Sequence, residues 1–286
     1  MPDECPDYSA FPTAMPVPPN SYPKRLAVVA AFVALWVALG MSLRLDPNAY
    51  LLLGVPLTIA FQRLVARRPL ASLWVRDAPR LRVTPGWLVT TAAFAAMPVY
   101  SLYQTGLRYE WIGVFWYACA IAGAPAAAYA VANADRRMAR SAIPAAGVTA
   151  LFSVLMIAGG VARHGVSVLT PSAILTAGEW TLRYFPVCFF LEEVTFRGAL
   201  DAYVYRPGDK RGVWTAFVVS FLWGVWHIGA VPISDNLFAI ALVLGVTHTV
   251  VGVPLTMSWR IGGSLLMPAL AHATIDGVRN AMPLGP

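Results

Sequence analysis

Ionisable side chains that fall inside apolar stretches of this 286-residue chain cluster late in it. The run Leu191-Glu-Glu-Val-Thr-Phe-Arg-Gly198 holds Glu192, Glu193 and Arg197. The run Ser220-Phe-Leu-Trp-Gly-Val-Trp-His227 ends on His227. Further on, Gly263-Ser-Leu-Leu-Met-Pro-Ala-Leu-Ala-His-Ala-Thr-Ile-Asp276 carries His272 and Asp276. An ionisable group within a membrane-spanning helix is costly unless it is paired or faces a wet cavity, so each of these is a functional candidate by default.

Helical spacing gives the candidates definite faces. Glu193 and Arg197 are four apart and share a face as an i, i+4 ion pair. Glu192 lies about 100° around the helix from Glu193 and is free to point elsewhere. Arg197 compensates only one of two adjacent glutamates, and a carboxyl poised near neutrality beside a histidine is what general-base activation of water requires. His272 and Asp276 are also four apart, a spacing at which the carboxylate fixes the imidazole tautomer. The competing structural reading is that the ion pair only neutralises itself and the histidines bond to backbone carbonyls within a helical bundle.

The elements that position these groups follow from composition. With 58% hydrophobic residues, 12% charged residues and a mean hydropathy of +0.62, too little polar side chain exists to coat a soluble globule. A spanning helix needs about 20 apolar residues. Such stretches lie near 26–43, 48–65, 86–106, 112–132, 141–162, 174–200, 212–230, 236–258 and 262–282, giving nine spans, or eight if one is re-entrant. The expected fold is an all-α polytopic transmembrane helical bundle. The second stretch is short and interrupted by Pro56, and the sixth is longer than a bilayer needs. Continuous sixth and seventh helices running in opposite directions put Glu192 and His227 at depths mismatched by a helical turn or more, unless tilt or a seventh helix starting outside the bilayer corrects it.

The net charge of +7 is spread between apolar segments and forms no single patch, so no nucleic-acid partner is expected. Counted on alternate sides with the N-terminus inside, fifteen Lys and Arg lie on the cytoplasmic side and four on the other, while Arg183 and Arg197 stay within helices. Residues 1–23, rich in proline, read as a flexible cytoplasmic tail and not as a signal peptide. The segment Arg63–Gly86, with six arginines and Trp74, reads as a short amphipathic helix on the inner leaflet. Cys5, Cys119 and Cys188 follow no metal or redox spacing and read as free. Glu179 and Arg183 read as an interfacial ion pair, His248 as a packing histidine and His164 as an outer-loop residue. No internal repeat is present, which weakens a transporter built on inverted halves.

The order Glu-Glu-x-x-x-Arg on one span, His on the next and His-x-x-x-Asp on a later one resembles the CAAX protease and bacteriocin-processing family of intramembrane glutamic endopeptidases. The resemblance covers roughly the C-terminal 110 residues. Phe196-Arg197-Gly198 and Gly263-Ser264 with Pro268 add to it. It implies that Glu192 activates water, that His227 orients that water, and that Glu193 and Arg197 hold the motif helix in shape. His272 and Asp276 then occupy the place where the family stabilises the oxyanion of the attacked carbonyl. Two departures stand out. Trp223 replaces the usual Phe four residues before the first histidine, a change expected to alter cavity shape more than chemistry. Asp276 stands where many members have Asn, so it is either protonated or acts by polarising His272.

The chain divides into the tail 1–23, N-terminal transmembrane helices 24–172 and a catalytic core 173–286. The expected activity is hydrolysis of a peptide bond of a membrane-associated or C-terminally modified protein, without cofactor or metal, in a bacterial-type plasma membrane. Its partners are that substrate and the lipid bilayer. Other readings stay open. One is a non-catalytic membrane scaffold or peptide-immunity protein of the same fold; another is a proton-coupled transporter. A third is a zinc protease using Glu192, His227 and His272, although no His-Glu-x-x-His spacing is present.

Overall fold

The computed structural model describes residues 22–77, 80–107, 111–205, 212–231 and 236–282. Among these, all regular elements are helical, and one isolated bridge joins Val75 to Ser264. In chain order the helices are α1 (Tyr22–Ser42), α2 (Pro47–Ala60), α3 (Pro85–Leu107), α4 (Trp111–Ala132), α5 (Arg136–His164), α6 (Pro171–Cys188), the short α7 (Ala202–Val204), α8 (Gly212–Trp226), α9 (Leu237–Gly262) and α10 (Leu266–Ala281). Capping explains several of the starts. Asp46 accepts from the backbone N–H groups of Asn48 and Ala49 ahead of α2, Asp135 accepts from that of Arg137 ahead of α5, and Thr170 accepts from that of Ala173 ahead of α6.

Each apolar stretch read from the sequence contains a helix, and six helices are long and apolar enough to cross a membrane. The chain is a multi-pass membrane protein. Helix α1 begins at Tyr22 with Pro23 in its first turn, so it takes the last two residues of the expected tail, while residues 1–21 lie outside the described ones. Arg108, Arg206, Lys210, Arg211 and Cys5 also lie outside them. Cys119 and Cys188 are free.

The sixth stretch is not one helix. Helix α6 stops at Cys188, residues 189–191 turn, and the chain restarts as helix at Glu192 before widening into π geometry over Val194–Asp201. Pro186 removes one backbone donor near the break. The carbonyl of Phe189 is taken by the indole N–H of Trp74 at 2.5 Å. Glu192 therefore leads a separate segment and is not bound to the depth that a continuous α6 sets.

The basic segment after α2 also departs from expectation. Among the described residues it forms no amphipathic helix: a π-helical turn, Phe61–Val65, continues α2, and a 3₁₀ turn at Leu70–Leu73 leads into turns around Val75. Leu73 and Val75 are buried, and the backbone of residues 74–76 bonds to the lead-in of α10: Leu265 N donates to Trp74 O at 3.0 Å and Arg76 N to Gly263 O at 2.6 Å. Leu73 and Val75 thus enter the core, while Leu64, Val65, Leu81 and Val83 stay exposed. A Cβ on Gly198 would sit 2.1 Å from the carbonyl oxygen of Leu73, so this close crossing requires glycine there. The segment thus staples the restarted motif helix to the start of α10, the two elements that carry Glu192, Glu193, His272 and Asp276.

Several arginines assigned to the basic side gather at one end of the bundle. Arg25 and Arg68 donate to the carbonyls of Tyr203 and Ala202, Arg76 donates to those of Trp259 and Arg260, and Arg260 pairs with Asp201. Helices α1 and α2 clamp the end of α8. The Tyr50 hydroxyl donates to Trp226 O at 2.7 Å, and Trp36 lies against both rings. That contact fixes the residue immediately before His227.

Candidate active site

Glu192 and His227 face each other across a cavity of about 320 Å³ open to one side. Nε2 of His227 is 3.8 Å from Oε2 of Glu192, and their side chains keep 24% and 21% of their surface exposed. The depth mismatch expected of two continuous helices is absent because Glu192 belongs to the restarted segment and His227 opens the 3₁₀ turn His227–Ala230 after α8. Nδ1 of His227 lies 2.9 Å from the carbonyl oxygen of Trp223. A carbonyl only accepts, so Nδ1 carries the hydrogen, and in its singly protonated form the ring has its lone pair on Nε2, the nitrogen nearer Glu192. A water between them has a carboxylate and an imidazole lone pair as acceptors.

Trp223 does more than shape the cavity. Its indole Nε1 donates to Oε2 of Glu192 at 2.9 Å, an interaction that a phenylalanine at this position lacks. The guanidinium of Arg197 lies 4.2 Å from the centre of the Trp223 ring, and the ring meets His272 edge-on with 5.2 Å between centroids. The exchange of aromatics, expected to alter cavity shape more than chemistry, also adds a direct hydrogen bond to the candidate base.

Glu193 is fully buried and carries two partners on one oxygen. Oε1 receives NH1 of Arg197 at 3.0 Å and Nδ1 of His272 at 2.9 Å. The i, i+4 pair expected from spacing is present, and Glu193 also orients His272 across helices. The sequence assigned that second task to Asp276, but Oδ2 of Asp276 stands 3.6 Å from Nε2 of His272, beyond hydrogen-bond reach. Oδ1 of Asp276 instead meets Arg279 at 3.0 Å, one turn on along α10. With Nδ1–H of His272 committed to Glu193, only a doubly protonated ring can donate from Nε2 into the cavity.

The cavity wall also includes His248 of α9, which the sequence reading placed in packing. Its own helix supplies only a backbone carbonyl, that of Leu244, and its ring contacts, Trp223 and His227, come from outside α9. Glu179 and Arg183 form the expected ion pair along α6, away from the cavity, with Arg183 against Trp180. His164 ends α5 and is exposed. Among the described residues, no cluster of three or more His, Cys, Asp and Glu side chains is disposed to hold a metal ion.

Residues 174–278 match the family model described as type II CAAX prenyl endopeptidase Rce1-like. The segment is CAAX-protease-like. It contains Glu192, Glu193, Arg197, Trp223, His227, His272 and Asp276, together with His248, while α1–α5 lie outside it. The resemblance read from three spaced motifs thus rests on a match across the helices that carry them, and the matched family is one of endopeptidases. No curated protein and no solved structure matches the chain.

Proposed function

We propose that the protein is an intramembrane endopeptidase that hydrolyses a peptide bond of a membrane-associated or C-terminally modified protein, using water activated by Glu192. The observation that carries the reading is the shared cavity of Glu192 and His227, 3.8 Å apart, within the CAAX-protease-like segment. Water donates one hydrogen to Glu192 and the other to Nε2 of His227, leaving an oxygen lone pair for the carbonyl carbon. As the C–O bond forms, Glu192 takes the first proton. Doubly protonated His272 donates from Nε2 to the oxyanion, its positive charge balanced by Glu193. Collapse of the intermediate breaks the C–N bond, and Glu192 returns its proton to the departing amine.

In this reading Trp223 fixes the Glu192 carboxylate, while Glu193 and Arg197 hold the motif helix and His272. No cofactor enters any step. The chain sits in a bacterial-type plasma membrane with its N-terminus cytoplasmic, an orientation supported by the fifteen-to-four split of basic residues.

The test is cleavage of a panel of membrane-tethered peptides, some C-terminally prenylated, by the protein in lipid vesicles, with products identified by mass. The wild type cuts at a defined bond, and His227→Ala loses turnover while melting as the wild type does. Equal cleavage by His227→Ala counts against the mechanism.

A further inference from the structure

We infer that His248 is a positioning residue for the attacking water: it holds the ring of His227 and offers a second Nε2 lone pair to the hydrogen that the water retains after Glu192 takes the other. This rests on the proposed peptidase reading and deepens it.

Three observations carry it. The rings of His227 and His248 lie 4.0 Å apart between centroids, tilted by 33°, on the wall of the cavity that Glu192 also lines. Both rings have the same tautomer for the same reason. Nδ1 of His248 lies 2.8 Å from Leu244 O, as Nδ1 of His227 lies 2.9 Å from Trp223 O, and a carbonyl accepts only from an N–H. In its singly protonated form each ring therefore has an unprotonated Nε2, and two such rings cannot donate to each other. They meet by ring contact, and what they lack is a donor, which water supplies.

The third observation is how the two helices are brought together. Gly224 and Gly245 precede the two histidines by three residues each, so each glycine shares a helix face with its histidine. A Cβ on Gly224 would lie 2.2 Å from Leu244 O, and one on Gly245 would lie 2.5 Å from the Phe221 ring. Small residues let α8 and α9 approach to backbone contact, and each imidazole, turned back to the carbonyl four residues before it, lies at the level of that approach. Trp223 closes the other side of His248 edge-on, with 4.8 Å between ring centroids. His248 lines the cavity together with Glu192 and His227.

The variants His248→Phe and His248→Gln separate the two roles. Phenylalanine keeps the ring contact and removes the lone pair, whereas glutamine keeps an acceptor. With a peptide that the wild type cleaves, His248→Phe should lose about tenfold or more in kcat with KM within about threefold, and His248→Gln should recover part of the loss. Thermal melts of both variants exclude a folding defect. Wild-type turnover in His248→Phe, alongside an inactive Glu192→Gln, overturns the role of His248 and leaves the peptidase reading intact. If the wild type cleaves no peptide, ¹⁵N NMR of labelled histidine side chains decides. Glu192→Gln should shift the Nε2 resonances of both His227 and His248 if all three share water. A shift at His227 alone overturns the inference.

Discussion

The indole N–H of Trp223 donates to Oε2 of Glu192 at 2.9 Å, and the face of the same ring lies 4.2 Å from the guanidinium of Arg197. One side chain thus joins the candidate base to the buried ion pair behind it. A hydrogen bond to a charged group contributes about 1.5–3 kcal/mol. Trp223→Phe should therefore keep the fold but lower kcat about tenfold with little change in KM, measured on a cleavable membrane-tethered peptide. Unchanged kcat in a stably folded Trp223→Phe contradicts a role in holding Glu192.

Glu193 and Arg197 test the buried pair itself. Both are essentially excluded from solvent, and removing one partner leaves a buried charge uncompensated, at a cost of about 3–5 kcal/mol. Arg197→Met should strongly lower the unfolding temperature in detergent. The double variant Arg197→Met with Glu193→Leu should lose less than the sum of the two single changes. Strict additivity across that cycle contradicts the pairing.

Gly198 tests the staple. Adding one methyl group at a contact with Leu73 O of 2.1 Å forces the 70–76 segment off the motif helix. Overpacking of this kind costs about 1–3 kcal/mol. Gly198→Ala should destabilise the protein and lower turnover together, and proteolysis within residues 70–76 should rise with them. A variant as stable and active as the wild type removes the staple from the account.

Asp276 tests the oxyanion side. Its carboxylate is held by Arg279, and Nδ1 of His272 is oriented by Glu193. Asp276→Asn should therefore retain turnover within about threefold, since Glu193 still orients His272 and the amide keeps an oxygen for Arg279. A loss of a hundredfold or more reinstates Asp276 as the group that polarises His272.

What the sequence made legible follows the range of its signals. Apolar runs marked the helices because a bilayer demands about 20 such residues whatever their partners. Glu193 with Arg197 was legible from spacing within one helix. The break at 189–191 was hidden because a turn sheltered inside a bundle keeps an apolar sequence, with Pro186 its only local mark. The bonds of Trp223 to Glu192, 31 residues away, and of His272 to Glu193, 79 residues away, depend on how helices cross, which composition does not encode. The place of His248 on the cavity wall was hidden for the same reason. Trp74 and Val75 were misassigned because a basic stretch with interspersed apolar residues suits a membrane surface as well as a docked loop.

The most direct test of the central claim compares wild type, Glu192→Gln and Glu193→Gln on one cleavable peptide under a strong chelator, with folding checked by thermal melt. The account predicts wild-type turnover that survives chelation. It also predicts a Glu192→Gln variant that folds normally without turnover, and a Glu193→Gln variant that loses stability first. Turnover that persists in Glu192→Gln, or that vanishes with chelator and returns with zinc, contradicts water activation by Glu192.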